Sequence, residues 1–194
     1  MSRISWRTRG GWLVSACVAV ATSASVVSVS AVQTGTEPDL KAAFLFNFAR
    51  FAVWPVDSVP AGGALSFCVF GDSFVAQSLE KMVLGKTIDG HALTVSRVKR
   101  DGALRGCQIL YAGRVDRDRA LELLGAVAGA AVLTVSDLST FTQIGGTAEL
   151  YVEANRVRFS VNVDSAHKSG VQLSAQLLRL AKLVTSNEPN AVSR

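Results

Sequence analysis

The stretch KAAFLFNFARFAVWP over 41–55 constrains this chain more than any other. It carries five aromatics, Phe44, Phe46, Phe48, Phe51 and Trp54, against three polar residues, Lys41, Asn47 and Arg50. Leu40, Phe44, Phe48 and Phe51 recur at helical spacing along one face, and Leu45, Phe46, Ala49 and Val53 cover much of the rest. Glu37 and Asp39 suit the positive end of such a helix. Pro55 is expected to end it, because the residue before a proline is pushed out of the helical region. A helix apolar on nearly every side must be buried on several of them or must offer an apolar face to a partner.

What precedes this helix sets the compartment. Residues 1–31 read as a secretion signal: Arg3, Arg7 and Arg9 form a basic start, and an apolar, small-residue run follows. Val29 and Ala31 fit a small-x-small cleavage pattern, so the exported mature chain is expected to begin near Val32. Two competing readings are an uncleaved membrane anchor and lipidation at Cys17, where VSAC over 14–17 resembles a lipobox. The remainder is expected to form a single α/β domain over 32–185 with a flexible polar tail over 186–194. The whole chain carries a net charge of +5, but loss of three of its 20 basic residues leaves 17 against 15 acidic ones, a net of +2. With no basic run and no basic-aromatic interleaving, nucleic acid is not an expected partner.

Cysteine usage agrees with export. Two cysteines remain after cleavage, Cys68 and Cys107. An even count in an oxidising compartment suggests a disulfide, feasible if the two strands that hold them are neighbours. Two buried free thiols are the alternative; a zinc site is a poor fit for two isolated cysteines and one distant histidine.

The order of elements points to a fold class. Strands are predicted over 65–70, 93–98, 108–111 and 131–135, and helices over 74–84, 114–127, 138–144 and 174–184. A hairpin over 148–153 and 156–162 turns at Ala154 and Asn155. Alternation of strands with helices predicts a three-layer α/β sandwich, with a mixed, mostly parallel sheet and helices on both faces.

Catalytic signatures are sparse. Ser73 directly follows the first buried strand, and Asp164 and His167 share a late turn, the outer blocks of a GDSL-type esterase. The intermediate Gly and Asn oxyanion donors of such enzymes have no counterpart, and Asp72 and Ser73 fit the simpler task of capping the next helix. There is no dinucleotide fingerprint, P-loop or zinc-protease motif, and only His91 and His167 are available for acid-base or metal work. No cofactor or metal is expected. Ser136 and Asp137 at a strand end, and Gly145 with Gly146, read first as helix caps and stops and second as ligand-approach positions.

The helix at 41–55 resembles the segment that opens mature proteins of the YfiR family. Further stretches match in order: FCVFGD over 67–72, CQILY over 107–111, LTVSD over 133–137 followed by Phe141 and Gly145-Gly146, NRVRFSVN over 155–162, and LLRLAK over 177–182. The resemblance spans essentially the whole expected mature chain. It implies a small periplasmic α/β protein without catalysis, which binds the periplasmic sensor domain of an inner-membrane diguanylate cyclase and represses cyclic-di-GMP signalling and biofilm formation. It further implies an outer-membrane lipoprotein that relieves the block, a homodimer, and a family disulfide matched by Cys68 and Cys107. A second cysteine pair found in some members is replaced here by Thr142 and Glu149. On this reading Phe44, Phe48 and Phe51 pack on the sheet first, and Phe46, Arg50 and Trp54 are the candidates for the partner or dimer interface. A small-ligand-binding protein, or the esterase built on Ser73, Asp164 and His167, is the alternative.

Overall fold

Side-chain alternation along the strands divides the core in two. In β2 (Leu65–Phe70), Phe67 and Val69 join one apolar cluster and Cys68 joins another, as a period of two requires. β5 (Ile109–Ala112) repeats the pattern, with Ile109 and Tyr111 on the first face and Leu110 and Ala112 on the second. The first face is covered by α1 (Glu37–Phe51) and α2 (Ser73–Val83), which supply Leu45, Phe48, Val75 and Leu79. The second is covered by α3 (Arg117–Ala126) through Leu123. Burial on both faces explains why β5 and β6 (Leu133–Ser136) are buried at every position. The result is the three-layer α/β sandwich with a mostly parallel sheet.

This computed structural model describes residues 35–59, 61–99 and 102–185, all within one compact unit, Thr34–Arg194. The expected signal over 1–31, Cys17, the cleavage point near Val32 and the tail over 186–194 lie outside the described residues. Among the described residues the main sheet has eight strands, in the order β10-β8-β7-β6-β5-β2-β4-β3. β4 (His91–Val98), β2, β5, β6 and β7 (Ala148–Glu153) run parallel. β8 (Arg156–Asn162) pairs antiparallel with β7 in the predicted hairpin, and β10 (Lys182–Val184) lies parallel to β8. The short β3 (Thr87–Ile88) closes the other edge, antiparallel to β4.

Four elements depart from the sequence reading. The first helix stops at Phe51, not beside Pro55, because Ala52 and Val53 (β1) pair with Gln172 and Leu173 (β9) in a separate two-stranded ladder. Ser174 extends that ladder by donating its N–H to the Phe51 carbonyl at 2.8 Å. The long helix expected over 174–184 is a single turn, α5 (Ala175–Leu178), after which the chain takes up the open backbone edge of β8 as β10. Only Leu177 of the apolar series is buried, and Leu180 is exposed. The helix expected over 138–144 is a run of turns. They bring Phe141 into the core against Gly146, where any Cβ would collide with the Phe141 ring. A six-residue helix, α4 (Val163–Lys168), stands where the sequence suggested only a late turn.

The aromatics of α1 do not share one fate. Phe48 is fully buried, with its ring edge-on to Phe159 at 5.2 Å, and Phe44 stands 5.6 Å from the same ring. Each such pair contributes about 1 kcal/mol beyond area burial. Phe44, Phe46, Phe51 and Trp54 are part-buried against the core.

Cys68 and Cys107 form a disulfide, with Cα atoms 5.8 Å apart, because β2 and β5 are neighbours. The bridge closes a separation of 39 residues, for which the chain-entropy estimate is about 4 kcal/mol. Replacing both cysteines with alanine is predicted to lower the unfolding free energy by about that amount in urea titrations. Dithiothreitol should lower the wild-type midpoint and leave that of the double variant unchanged.

Candidate functional site

The three parallel strands β2, β5 and β6 end side by side, and their carboxyl edge gathers the polar chemistry of the molecule. Asp72 follows β2, Arg114 follows β5 and Asp137 follows β6. Lys41, from the first turns of α1, reaches this edge and donates from Nζ to Asp137 Oδ2 at 2.6 Å and to Glu37 Oε1 at 2.7 Å. Tyr111 donates its phenol to the same Asp137 oxygen at 3.0 Å, and the Arg114 backbone N–H approaches Asp137 Oδ1 at 3.3 Å. Asp72 receives the Arg114 Nε at 3.2 Å with one oxygen and caps α2 through the N–H groups of Phe74 and Val75 with the other. Arg114 adopts φ +54° to make these contacts, a conformation that a non-glycine residue keeps only when its surroundings hold it there. The backbone of Gly71 passes so close to the Gly113 carbonyl that a Cβ at Gly71 would collide with it.

The electrostatics follow from burial and pairing. Burial alone would lift the Asp137 carboxyl and depress the Lys41 ammonium. Their mutual hydrogen bond and charge, helped by Glu37 on one side and by Arg114 and Tyr111 on the other, reverse both effects. Asp137 is therefore held below its ordinary value and Lys41 above its own. Burial, then the negative charge of Asp137, pushes the Tyr111 phenol well above its usual range. Every charge at this edge is committed to a partner. The arrangement fastens α1 to the sheet. Beside it, Glu37, Lys41, Asp137, Glu149 and Val157 line a cavity of about 310 Å³.

The other end of α1 is tied to the opposite edge of the sheet. Trp54 Nε1 donates to the Gln108 carbonyl at 3.2 Å, just before β5 begins. The Gln108 side chain accepts from the Ser66 N–H and donates to the Ser58 carbonyl, at 2.8 and 2.9 Å. Phe46 lies part-buried with the Lys86 ammonium 5.0 Å above its ring, and Arg50 is exposed with its guanidinium 5.6 Å over Phe51. Val53 and Val56, on either side of Trp54, are largely solvent-exposed.

The esterase arrangement is not assembled. Ser73 opens α2 at the end of β2, whereas Asp164 and His167 sit on α4 after β8. β8 is four strands from β2 in the sheet order, on the order of 19 Å away at the usual strand spacing. Among the described residues no group of three or more His, Cys, Asp or Glu is placed to hold a metal ion, and no helix is long and apolar enough to cross a membrane. Ser136 caps no helix, since none forms over 138–144; its Oγ accepts the Leu138 N–H at 3.0 Å within the turns that follow β6. The partners of Lys41 were not legible: the lone lysine in an apolar helix hinted at a buried ion pair, but Asp137 is 96 residues away.

Residues 38–182 match the model of the YfiR/HmsC-like family. The chain belongs to that family. Membership supports, in broad terms, a periplasmic regulatory role without catalysis, and the disulfide fits such a compartment. Among solved structures, the chain is similar to a conserved domain protein from Vibrio cholerae O1 biovar El Tor, with 12% identity and a TM-score of 0.49. The likeness covers 76% of this chain and 60% of that one, so the chain spans less than two thirds of that protein.

The pairing at the carboxyl edge predicts a pH dependence. The contribution of Asp137, whose value is depressed below 3.8, is present above that pH and is lost as the pH falls through the depressed value. The contribution of Lys41, raised above 10.5, is present below that pH and is lost as the pH rises through the raised value. Asp137→Asn should cost about 2 kcal/mol at neutral pH, since Glu37 still pairs with Lys41. In urea titrations the gap between wild type and variant should stay constant from about pH 5 to 9 and close at lower pH.

Proposed function

We propose that this protein is a non-catalytic periplasmic regulator that binds the periplasmic sensor domain of an inner-membrane diguanylate cyclase and holds the enzyme inactive, lowering cyclic-di-GMP. The observation that carries this reading is the family match across nearly all of the folded unit, 38–182. The oxidised cysteine pair and the mutual pairing of the charged groups at the carboxyl edge support it. An outer-membrane lipoprotein that competes for the inhibitor, and a homodimer of this chain, belong to the same proposal.

The docking surface we assign lies at the far end of α1, around Phe46, Arg50 and Trp54. Most of α1 is spent on the core; apart from Leu40 in its first turn, the apolar surface it has to spare lies at this end. Val53 and Val56 extend it, exposed at 63% and 89%. Apolar centres of this kind beside an arginine are what binding hot spots are built from. Trp54 supplies a rigid aromatic already held by Gln108, so little ordering is required on binding.

Arg50→Glu and Val53→Glu are expected to weaken binding to the purified sensor domain at least tenfold in biolayer interferometry, with melting temperatures close to wild type, since both side chains are exposed. In cells, either variant should raise cyclic-di-GMP to the level of a strain lacking the protein. Wild-type affinity in both variants would move the interface elsewhere. No binding by the wild-type protein would remove the cyclase as partner.

A further inference from the structure

The third layer of the sandwich is incomplete. α3 covers the second sheet face over β5 and β2, and beside it, over β6, lies an open cavity of about 530 Å³, the size of small-molecule sites in general. Leu121 and Leu124 of α3 form one wall and Ile144, from the turns after β6, the other. The floor is polar. The Thr147 N–H donates to Thr134 Oγ1 at 2.9 Å, and Thr134 Oγ1 in turn donates to Thr147 Oγ1 at 3.2 Å. Both threonines are almost fully buried.

Arg117 and Lys168 are the ionisable residues of the lining. Lys168 already has a partner of its own, which leaves Arg117 as the cation for a ligand. We infer that this cavity is a binding site for a small organic monoanion with an apolar body, such as an aryl or branched alkyl carboxylate. The apolar part would lie between Leu121, Leu124 and Ile144, and the carboxylate would meet Arg117 at the rim through a charge-assisted hydrogen bond. The site is on the opposite sheet face from α1, so the inference does not rest on the docking surface assigned above.

The experiment holds ligand shape constant and varies charge. 4-Phenylbutyrate, 4-phenylbutanol and 4-phenylbutylamine are titrated into the mature protein by calorimetry, with amide chemical shifts recorded in parallel. At about 0.3 kcal/mol per heavy atom, the twelve-atom carboxylate should bind with a Kd on the order of 1 mM. The alcohol should bind about tenfold more weakly and the amine not detectably. Shifts should centre on Leu121, Ile144 and Thr147. Arg117→Gln should remove the preference for the carboxylate over the alcohol. Ile144→Trp, which fills the cavity and leaves the rim charges in place, should abolish binding of both. Equal affinity for all three compounds, shifts centred elsewhere, or no heat with the carboxylate at 10-fold that concentration would each overturn the inference.

Discussion

The fold depends on how α1 is fastened to the sheet. The helix runs opposite to the parallel strands, from their carboxyl edge to their amino edge. At one end Lys41 enters Asp137, and at the other the Trp54 indole reaches the carbonyl of Gln108. Between these ties Leu45, Phe48 and Ala49 are buried on the first sheet face. A charge so nearly buried is costly unless it is paired and hydrogen-bonded. Here the pairing is over-determined: Asp137 serves Lys41, Tyr111 and Arg114 together. The same carboxylate therefore links three elements that are distant in sequence.

This fastening also separates structure from recognition. The carboxyl edge of parallel strands is where α/β proteins commonly bind ligands. In this chain its charged groups are consumed in holding the helix, and what is left for contact with other molecules is at the periphery. The far end of α1 is one such place, because β1 breaks the helix there and turns Val53 outward. The gap beside α3 is another, because one ten-residue helix cannot cover a face that spans β2 to β7. The disulfide stands on that thinner side, tying β2 to the residue that leads into β5.

Much of this architecture was legible in the sequence, and the exceptions share a cause. The hairpin around Ala154 and Asn155 could be read to its boundaries, because strict alternation and a two-residue turn are local signals; both turn residues take positive φ. The end of α1 and the stretch over 174–184 could not, because each is decided by a backbone edge elsewhere. Ala52 and Val53 are drawn into pairing with 172–173, and Lys182–Val184 with β8. A leucine-rich run satisfies helical spacing and strand spacing alike, and the sequence alone does not record which edge is open. The stretches that carry the family resemblance include Lys41, Asp72 and Asp137, but a resemblance of stretches does not say which of these residues meet. The pairings of Lys41 with Asp137 and of Arg114 with Asp72, which place the helices on the sheet, join residues 96 and 42 positions apart and leave no trace in spacing.

The account makes α1 an integral part of the core, and native-state hydrogen exchange tests that most directly. The amides of Leu45, Phe48 and Ala49 should exchange only through the opening that also exposes Leu110 and Tyr111 in β5, with the same free energy and the same dependence on denaturant. Exchange of the α1 amides through a separate, lower-energy opening, with β5 still protected, would contradict it.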